Sequence, residues 1–267
     1  MSNLIKILIA VFALLVLVIG FNRADRTKSI QISGSTTLAP FMSSVASEYQ
    51  KNRRLKVEIT DSGSINGVNS LISGKCDLAM SSTEILPEQL NSAEKLGVSL
   101  KSYLIGYDII VPIVHPDNPI SSFSMKQLKE IFSGRIRNWS DLSEKDAGIQ
   151  IIHRNNSSGT YHTFNQRVVT LEKGLGTVFE SNSSVLAYVS KHVNAIGYIS
   201  KSYLNPEVKA LTVVPSIKRP LYLFVNESKL NSTLRSFIIF ILMDEKSKIL
   251  LNSNGFSPVK TEQKNSW

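Results

Sequence analysis

From Ser29 onward, short runs rich in β-branched residues alternate with segments whose apolar positions recur three and four apart. That rhythm predicts an α/β fold with mostly parallel strands. Ile30–Ser33 reads as a strand and Leu38–Gln50 as a helix, then Lys56–Thr60 as a strand and Asn66–Ser73 as a short helix. Asp77–Met80 is a third strand, and the apolar run Tyr107–Val114 ends at His115-Pro116-Asp117-Asn118-Pro119, a turn-rich break. Beyond it, helices are expected at Lys126–Phe132, stopped by Gly134, and at Tyr161–Leu171 and Val185–His192. Strands are expected at Ile149–His153, Ala195–Ile199 and Leu221–Val225, before the closing helices Leu230–Met243 and Lys246–Asn252. There is no internal repeat. An α/β chain of this size with a break in mid-chain suggests two lobes with a ligand between them.

The N-terminus follows another pattern. Ile7–Phe21 is apolar throughout, with Lys6 before it and no polar face, which argues against a buried core helix. Its length suits the apolar core of a secretory signal, and counting from Leu4 it reaches a marginal membrane span. Ala24 follows Asn22 and Arg23, a poor cleavage site, so residues 1–28 are either a signal peptide or an N-terminal anchor over residues 4–21. Both readings place the folded part outside the cytoplasmic membrane.

Composition narrows the chemistry. The 267 residues are 42% hydrophobic and 19% charged, enough to bury a core, which excludes disorder. The single cysteine, Cys76, rules out a disulfide framework or a cysteine-built metal site, and the four histidines (His115, His153, His162, His192) show no metal-binding spacing. No metal, cofactor or catalytic residue is assigned. Cys76 is read as a small half-buried strand residue, and Phe132 and Trp139 as packing. The net charge of +9 invites an anionic partner, yet +3 of it lies in the first 28 residues, where Lys6, Arg23, Arg26 and Lys28 face Asp25. With no basic run and no aromatic residues interleaved with basic ones, a nucleic-acid partner is not indicated.

Three segments share one local design: Gly34-Ser35-Thr36-Thr37, Ser62-Gly63-Ser64-Ile65-Asn66-Gly67 and Arg154-Asn155-Asn156-Ser157-Ser158-Gly159-Thr160. Each sets glycine and small hydroxyl residues between a strand and a helix start. A helix N-terminus offers unpaired N–H donors and a partial positive charge, hydroxyls add donors, and glycine allows close backbone approach. Any one of them is explained by helix capping alone. Three at the carboxyl ends of strands, one led by an arginine, point to an anion site. Arg154 brings a fixed charge and a two-pronged donor.

Gly34-Ser35-Thr36-Thr37-Leu38-Ala39-Pro40 and Ser62-Gly63-Ser64 resemble the opening of the phosphate-binding proteins of Pst-type ABC importers. So do Gly74-x-x-Asp77-Leu78-Ala79-Met80-Ser81-Ser82, Lys129–Gly134 with Asn138-Trp139, Arg154-x-x-x-Ser158-Gly159-Thr160, Ala195–Tyr198 and Arg219-Pro220-Leu221-Tyr222. Their order and spacing carry the resemblance over about Ser29–Val259. It implies a class II periplasmic-binding-protein fold: two α/β lobes, residues 29–107 with 219–267 and residues 108–218, joined by a hinge around a ligand cleft. It implies that Ser35, Thr36, Thr37, Ser64 and Ser82 from one lobe, and Arg154, Ser158, Gly159 and Thr160 from the other, hold a dehydrated phosphate. The implied partners are the permease and ATPase subunits of an importer, in the periplasm or its equivalent.

One departure bears on selectivity. Some relatives carry an aspartate where Ser82 falls, accepting the proton of hydrogen phosphate and rejecting sulfate. Many others read Ser-Ser-Arg where this chain has Ser81-Ser82-Thr83. Asp61 is a candidate replacement acceptor, though capping or bracing its loop suits it better, and Asp77 is expected to brace the loop. Two other functions compete with this reading. A serine hydrolase around Ser158, His162 and His153 lacks both Gly-x-Ser-x-Gly and an orienting acid. An anchored oxyanion sensor, or a binder of another oxyanion, keeps the fold and changes the task. A P-loop is absent.

Overall fold

In a computed structural model of the chain, residues 28–168 and 175–259 are described. The first lobe begins with three strands, β1 (Lys28–Gly34), β2 (Leu55–Thr60) and β3 (Leu78–Ser81), and helices α1 (Ala39–Gln50), α2 (Ser64–Ile72) and α3 (Pro87–Lys95). β1 pairs in parallel with β2 (Ile30 opposite Val57, Ile32 opposite Ile59) and with β3 (Gly34 opposite Met80). Alternation then decides the faces. Ile30 and Ile32 point into one core with Phe41, Met42 and Val45 of α1, and with Phe237 and Ile241 of α7 (Ser232–Met243). On the other face, Val68 and Leu71 of α2 pack on Ala79 and Phe224.

Two long strands leave this lobe. β4 (Leu100–Val114) is 15 residues long, roughly 50 Å at the usual rise, and β11 (Ile217–Asn226) runs antiparallel to it with Arg219 opposite Asp108. β4 places Ile105 in the first core and Ile110 and Val114 in a second, beside Phe132, Trp139, Phe164 and Tyr198. β11 does the same with Leu223 and Ile217. The second lobe is built on β6 (Gln150–Arg154), β7 (Thr177–Phe179) and β8 (Ala195–Ser200). Its helices are α4 (Met125–Phe132) and α5 (Gly159–Arg167) on one face, and α6 (Asn182–Val189) on the other. Through β4 and β11 the strands join in the order β2-β1-β3-β11-β4-β8-β6-β7, with β9 (Lys209–Ala210) on β4; β5 (Ser122–Ser124) and β10 (Thr212–Val214) form a separate pair. Helix α8 (Glu245–Ser253) packs against the first lobe through Leu250 and Leu251.

Most expected elements stand within two or three residues of their places. α2 starts at Ser64 instead of Asn66, which puts the hydroxyl of Ser64 on the helix's first residue. The run Tyr107–Val114 is only the inner half of β4, because its first four residues are partly exposed and carry no apolar run. α3 was not anticipated; it is a polar helix that buries only Gln89 and Ala93. Cys76 lies in the loop before β3, half-buried, and burial together with Asp77 pushes its thiol up to about 11. Phe132 and Trp139 are packing residues: Phe132 meets Phe164 edge-on, and the Trp139 indole donates to Asn194 O at 3.1 Å. The end of the expected helix at Leu171, and the apolar run Ile7–Phe21, lie outside the described residues. Among the described residues no helix is long and apolar enough to cross a membrane.

Helix α2 sits unusually close to β1. A Cβ added at Gly67 would lie 2.3 Å from the Gly34 Cα and 2.7 Å from Ser33 O, backbone that cannot yield without moving the strand. Gly67→Ala is expected to destabilise the fold by about 1–3 kcal/mol, read as a lower urea midpoint, because α2 must lift off the sheet.

Candidate functional site

The three hydroxyl-bearing turns meet where the lobes face each other. After β1, Gly34 takes φ +139 and an added Cβ would lie 2.1 Å from Met80 O, so only glycine lets the chain turn there. Gly63 N donates to Gly34 O at 2.8 Å, tying the second turn to the first. The side chains then interlock. Ser35 Oγ donates to Ser82 Oγ at 3.1 Å, Ser64 Oγ lies 3.3 Å from Ser82 Oγ, and Ser82 N donates to Ser64 Oγ at 3.1 Å.

The third turn comes from the second lobe. Ser158 caps α5, its hydroxyl accepting from Tyr161 N at 3.3 Å. Gly159 approaches so closely that an added Cβ would lie 2.6 Å from both Ser64 Oγ and Ser82 Oγ. The start of α5, with its free N–H groups and positive pole, is thereby set against the hydroxyls of the other lobe. Ile65 N donates to Ser157 O at 3.1 Å and Tyr203 Oη to Thr36 O at 2.7 Å, further bonds across the cleft.

Two arginines stand behind these turns. Arg154, the last residue of β6, is 1% exposed; its Nη2 donates to Thr36 Oγ1 (3.2 Å) and Glu180 O (2.5 Å). Its Nε and Nη1 are buried without a hydrogen-bond partner. Burial pulls the guanidinium down to about 10, with Tyr198 opposing the shift and the positive charge of Arg219 adding to it. Arg219, equally buried, has every donor engaged. Nε and Nη2 reach Asp108 Oδ2 at 2.9 and 2.7 Å, Nη2 also reaches Thr37 Oγ1 at 3.1 Å, and Nη1 reaches Thr160 Oγ1 at 2.8 Å and Ser82 Oγ at 3.1 Å. Its pKa is lowered by burial, against the pull of Asp108. Asn182, at the start of α6, donates to Thr37 Oγ1 at 3.0 Å and accepts from Ser200 N at 3.2 Å.

All nine expected residues therefore lie in one place: Ser35, Thr37, Ser64, Ser82 and Thr160 in a linked set of hydroxyls, Gly159 in contact with it, Thr36 on Arg154, and Ser158 as the cap beneath. Ser158 departs in detail, since its hydroxyl is used by the helix. Arg219, Asp108 and Asn182 were not anticipated as site residues. The first two were detectable. Arg219 shares the parity of Ile217, Leu221 and Leu223, all buried, and Asp108 interrupts an apolar run. The other aspartates are elsewhere: Asp77 Oδ2 accepts from Gln31 N at 2.8 Å, bracing β1, and Asp61 is exposed at the cleft mouth with Thr36 and Glu180. The hydrolase arrangement is not assembled, because both rings face backbone carbonyls: His162 Nε2 lies 2.8 Å from Asn156 O, and His153 Nε2 lies 2.5 Å from Leu175 O.

A family model described as the PBP superfamily domain matches residues 22–245. The chain belongs to the PBP superfamily. As a PBP it has two α/β lobes about a cleft, with the hydroxyl turns at the cleft walls. Its relatives include the phosphate-binding protein PstS of Borreliella burgdorferi, 27% identical over 96% of this chain and 99% of that protein, and PstS of Bacillus subtilis, 26% identical over 86% and 81%. A phosphate ABC transporter substrate-binding protein of Clostridium perfringens, solved with bound phosphate, is 28% identical, with a TM-score of 0.80 over 87% of this chain and 100% of that one. An ABC-type phosphate transport receptor of Vibrio cholerae is 25% identical, with a TM-score of 0.70 over 87% and 100%.

The ion pair at the base of this PBP cleft has a consequence for stability. Arg219→Ala leaves Asp108 buried and uncompensated, and is expected to cost about 3–5 kcal/mol in denaturant unfolding. Replacing both partners, Arg219→Met with Asp108→Leu, is expected to recover most of that loss.

Proposed function

We propose that the chain binds inorganic phosphate outside the cytoplasmic membrane and delivers it to an ABC importer. One observation carries the reading: the guanidinium of Arg154 is buried, has no carboxylate partner among the described residues, and keeps Nε and Nη1 unpaired. A buried cation of this kind is unfavourable by several kcal/mol unless an anion meets it. The groups around it are donors of the right type for an oxyanion: hydroxyls of Ser35, Thr36, Thr37, Ser64, Ser82 and Thr160, and the N–H groups of Gly159 and Thr160 at the start of α5. Ser158 contributes by holding that helix start in place. The names and bound ligand of the relatives support phosphate as the anion.

In this reading the lobes are residues 29–107 with 219–267 and residues 108–218, and β4 and β11 are the hinge. The division is supported by the separate cores on either side of those strands. The anion is gripped by the first lobe's hydroxyls and the second lobe's Arg154 and α5, so binding draws the lobes together. The closed surface is what the permease would contact, with the ATPase beyond it. Residues 1–28 serve export as a signal peptide or tether the protein through residues 4–21; no cofactor takes part.

Calorimetry on the full-length chain is expected to show tight phosphate binding that Arg154→Ala weakens by at least about 100-fold, as loss of a buried charged contact does. Gly159→Ala, which drives a methyl into Ser64 and Ser82, is expected to weaken it comparably while the unfolding midpoint stays close to wild type. No heat with phosphate, or binding indifferent to Arg154→Ala, would overturn the assignment.

A further inference from the structure

The end of the first lobe opposite the cleft collects charge that the phosphate site does not use. β1, β2 and β3 run in parallel, so Gly34 and Ser81 stand at the cleft and the other ends of the strands share one base, with Lys28 opposite Leu55. The turns that lead into β2, β3, β4 and α7 meet there. Asp77 N donates to Gln31 O at 2.8 Å, and Glu227 N donates to Ser99 O at 2.8 Å. A Cβ added at Gly74 would lie 3.1 Å from Lys229 Nζ, so the loop before β3 touches the turn into α7.

Exposed cations gather in these turns: Arg53 and Arg54 before β2, Lys75 before β3, Lys95 at the end of α3, and Lys229 and Arg235 around the start of α7. None of them stands in an ion pair among the described residues. The carboxylates in the same turns are mostly engaged. Glu48 pairs with Lys51 and Lys246, Glu58 with Lys56 and Glu227 with Lys101, which leaves Glu94 and Asp77, the latter bracing β1. Arg53 is fixed in place, its guanidinium 4.3 Å from the Tyr49 ring centroid and donating to Tyr49 O at 2.8 Å. Beside Lys95, the apolar side chain of Leu96 is 64% exposed. The chain reaches β1 from the apolar run Ile7–Phe21 through residues 22–27, which add Arg23 and Arg26 against Asp25. Six residues span no more than about 22 Å, so the base stays close to whatever holds that run.

Building on the reading of residues 4–21 as a segment that engages the membrane, we propose that the base of the first lobe is a docking surface for an anionic lipid bilayer. The cations lie against the headgroups, and Leu96 enters the boundary between headgroups and acyl chains. Each cation near such a surface favours the seated state by roughly fivefold, and salt weakens the attraction. The apolar segment and the basic base act as two signals, one supplying attachment and the other orientation. Seating the base leaves the cleft at the far end of the strands, about 20 Å away and open to phosphate.

Energy transfer to a rhodamine-labelled lipid measures how near the base comes to the bilayer. The full-length chain with Cys76→Ser carries a dye at Ser73→Cys, exposed at the base, or at Ser140→Cys, exposed on the second lobe. It is bound to vesicles of phosphatidylcholine alone or with about 30% phosphatidylglycerol. Phosphatidylglycerol is expected to raise transfer from position 73 at least about twofold, and about 1 M salt, where the screening length is near 3 Å, to reverse the rise. Transfer from position 140 is expected to stay low in both lipids. Arg54→Glu with Lys75→Glu and Lys229→Glu, exposed positions outside the cleft, is expected to abolish the rise and to leave phosphate calorimetry unchanged. Should that variant not fold, the neutral set Arg54→Gln, Lys75→Gln and Lys229→Gln is expected to lose most of the rise. Vesicle-bound protein with equal transfer from position 73 in the two lipids, or a rise that survives the substitutions, overturns the docking surface while the membrane segment stands. Protein that associates with neither vesicle overturns both, and phosphate binding in solution is untouched by either result.

Discussion

Asp108 and Arg219 face each other across β4 and β11, the two strands that pass from one core to the other, and their ion pair has no exposed side-chain surface. Two charges so deep gain little net stability from each other, because desolvation offsets most of their attraction. What the pair provides is direction. Asp108 takes two of the Arg219 donors and thereby aims the others at Thr37, Ser82 and Thr160. Those three residues come from three different turns, two in the first lobe and one in the second. One guanidinium thus holds the hydroxyls of both cleft walls in register, from the strand pair that passes between the two cores.

A second guanidinium nearby makes the arrangement incomplete by design. Arg154 feels the positive charge of Arg219, while the only carboxylate engaged with either arginine among the described residues is committed to Arg219. Its remaining partners are a threonine hydroxyl and a carbonyl, which solvate a cation without neutralising it. The fold accepts this unfavourable burial because the site is assembled by elements that are stable for other reasons: β6 inside the second core, α5 capped by Ser158, α2 held close against β1 at Gly67. Strain kept at one position by a well-packed surround is the usual physical basis of a preorganised site.

What could be read from the sequence, and what could not, follows from the range of the signals. The turns at Ser35, Ser64 and Ser158 were legible because helix-start chemistry is local: glycine for the turn, hydroxyls for the cap, arginine one turn earlier. Arg219 and Asp108 were missed because they are defined by a long-range pairing, 111 residues apart, that no local window contains. Their trace was nonetheless present, a charged side chain at a buried parity in each strand. Asn182 left no trace at all, since an asparagine near a helix start reads as a cap, and its partner Thr37 lies 145 residues away. The outer half of β4 and the polar helix α3 were missed for a simpler reason: neither buries enough apolar surface to show a period.

The direct bonds across the cleft are of two kinds. Ile65 N to Ser157 O, Tyr203 Oη to Thr36 O and Asn182 Nδ2 to Thr37 Oγ1 are neutral hydrogen bonds, worth about 1 kcal/mol each when water competes for the same groups, while Arg154 Nη2 to Thr36 Oγ1 and Arg219 Nη1 to Thr160 Oγ1 are charge-assisted. Against them stands the desolvation of Arg154, which is several kcal/mol while it lacks a counter-charge. An anion reverses the sign of that larger quantity, replacing an uncompensated buried cation by a charge-assisted contact. In the proposed reading, ligand charge therefore bears on closure chiefly through Arg154, which the second lobe brings to the cleft. Selection among anions must then be made by a finer feature than charge.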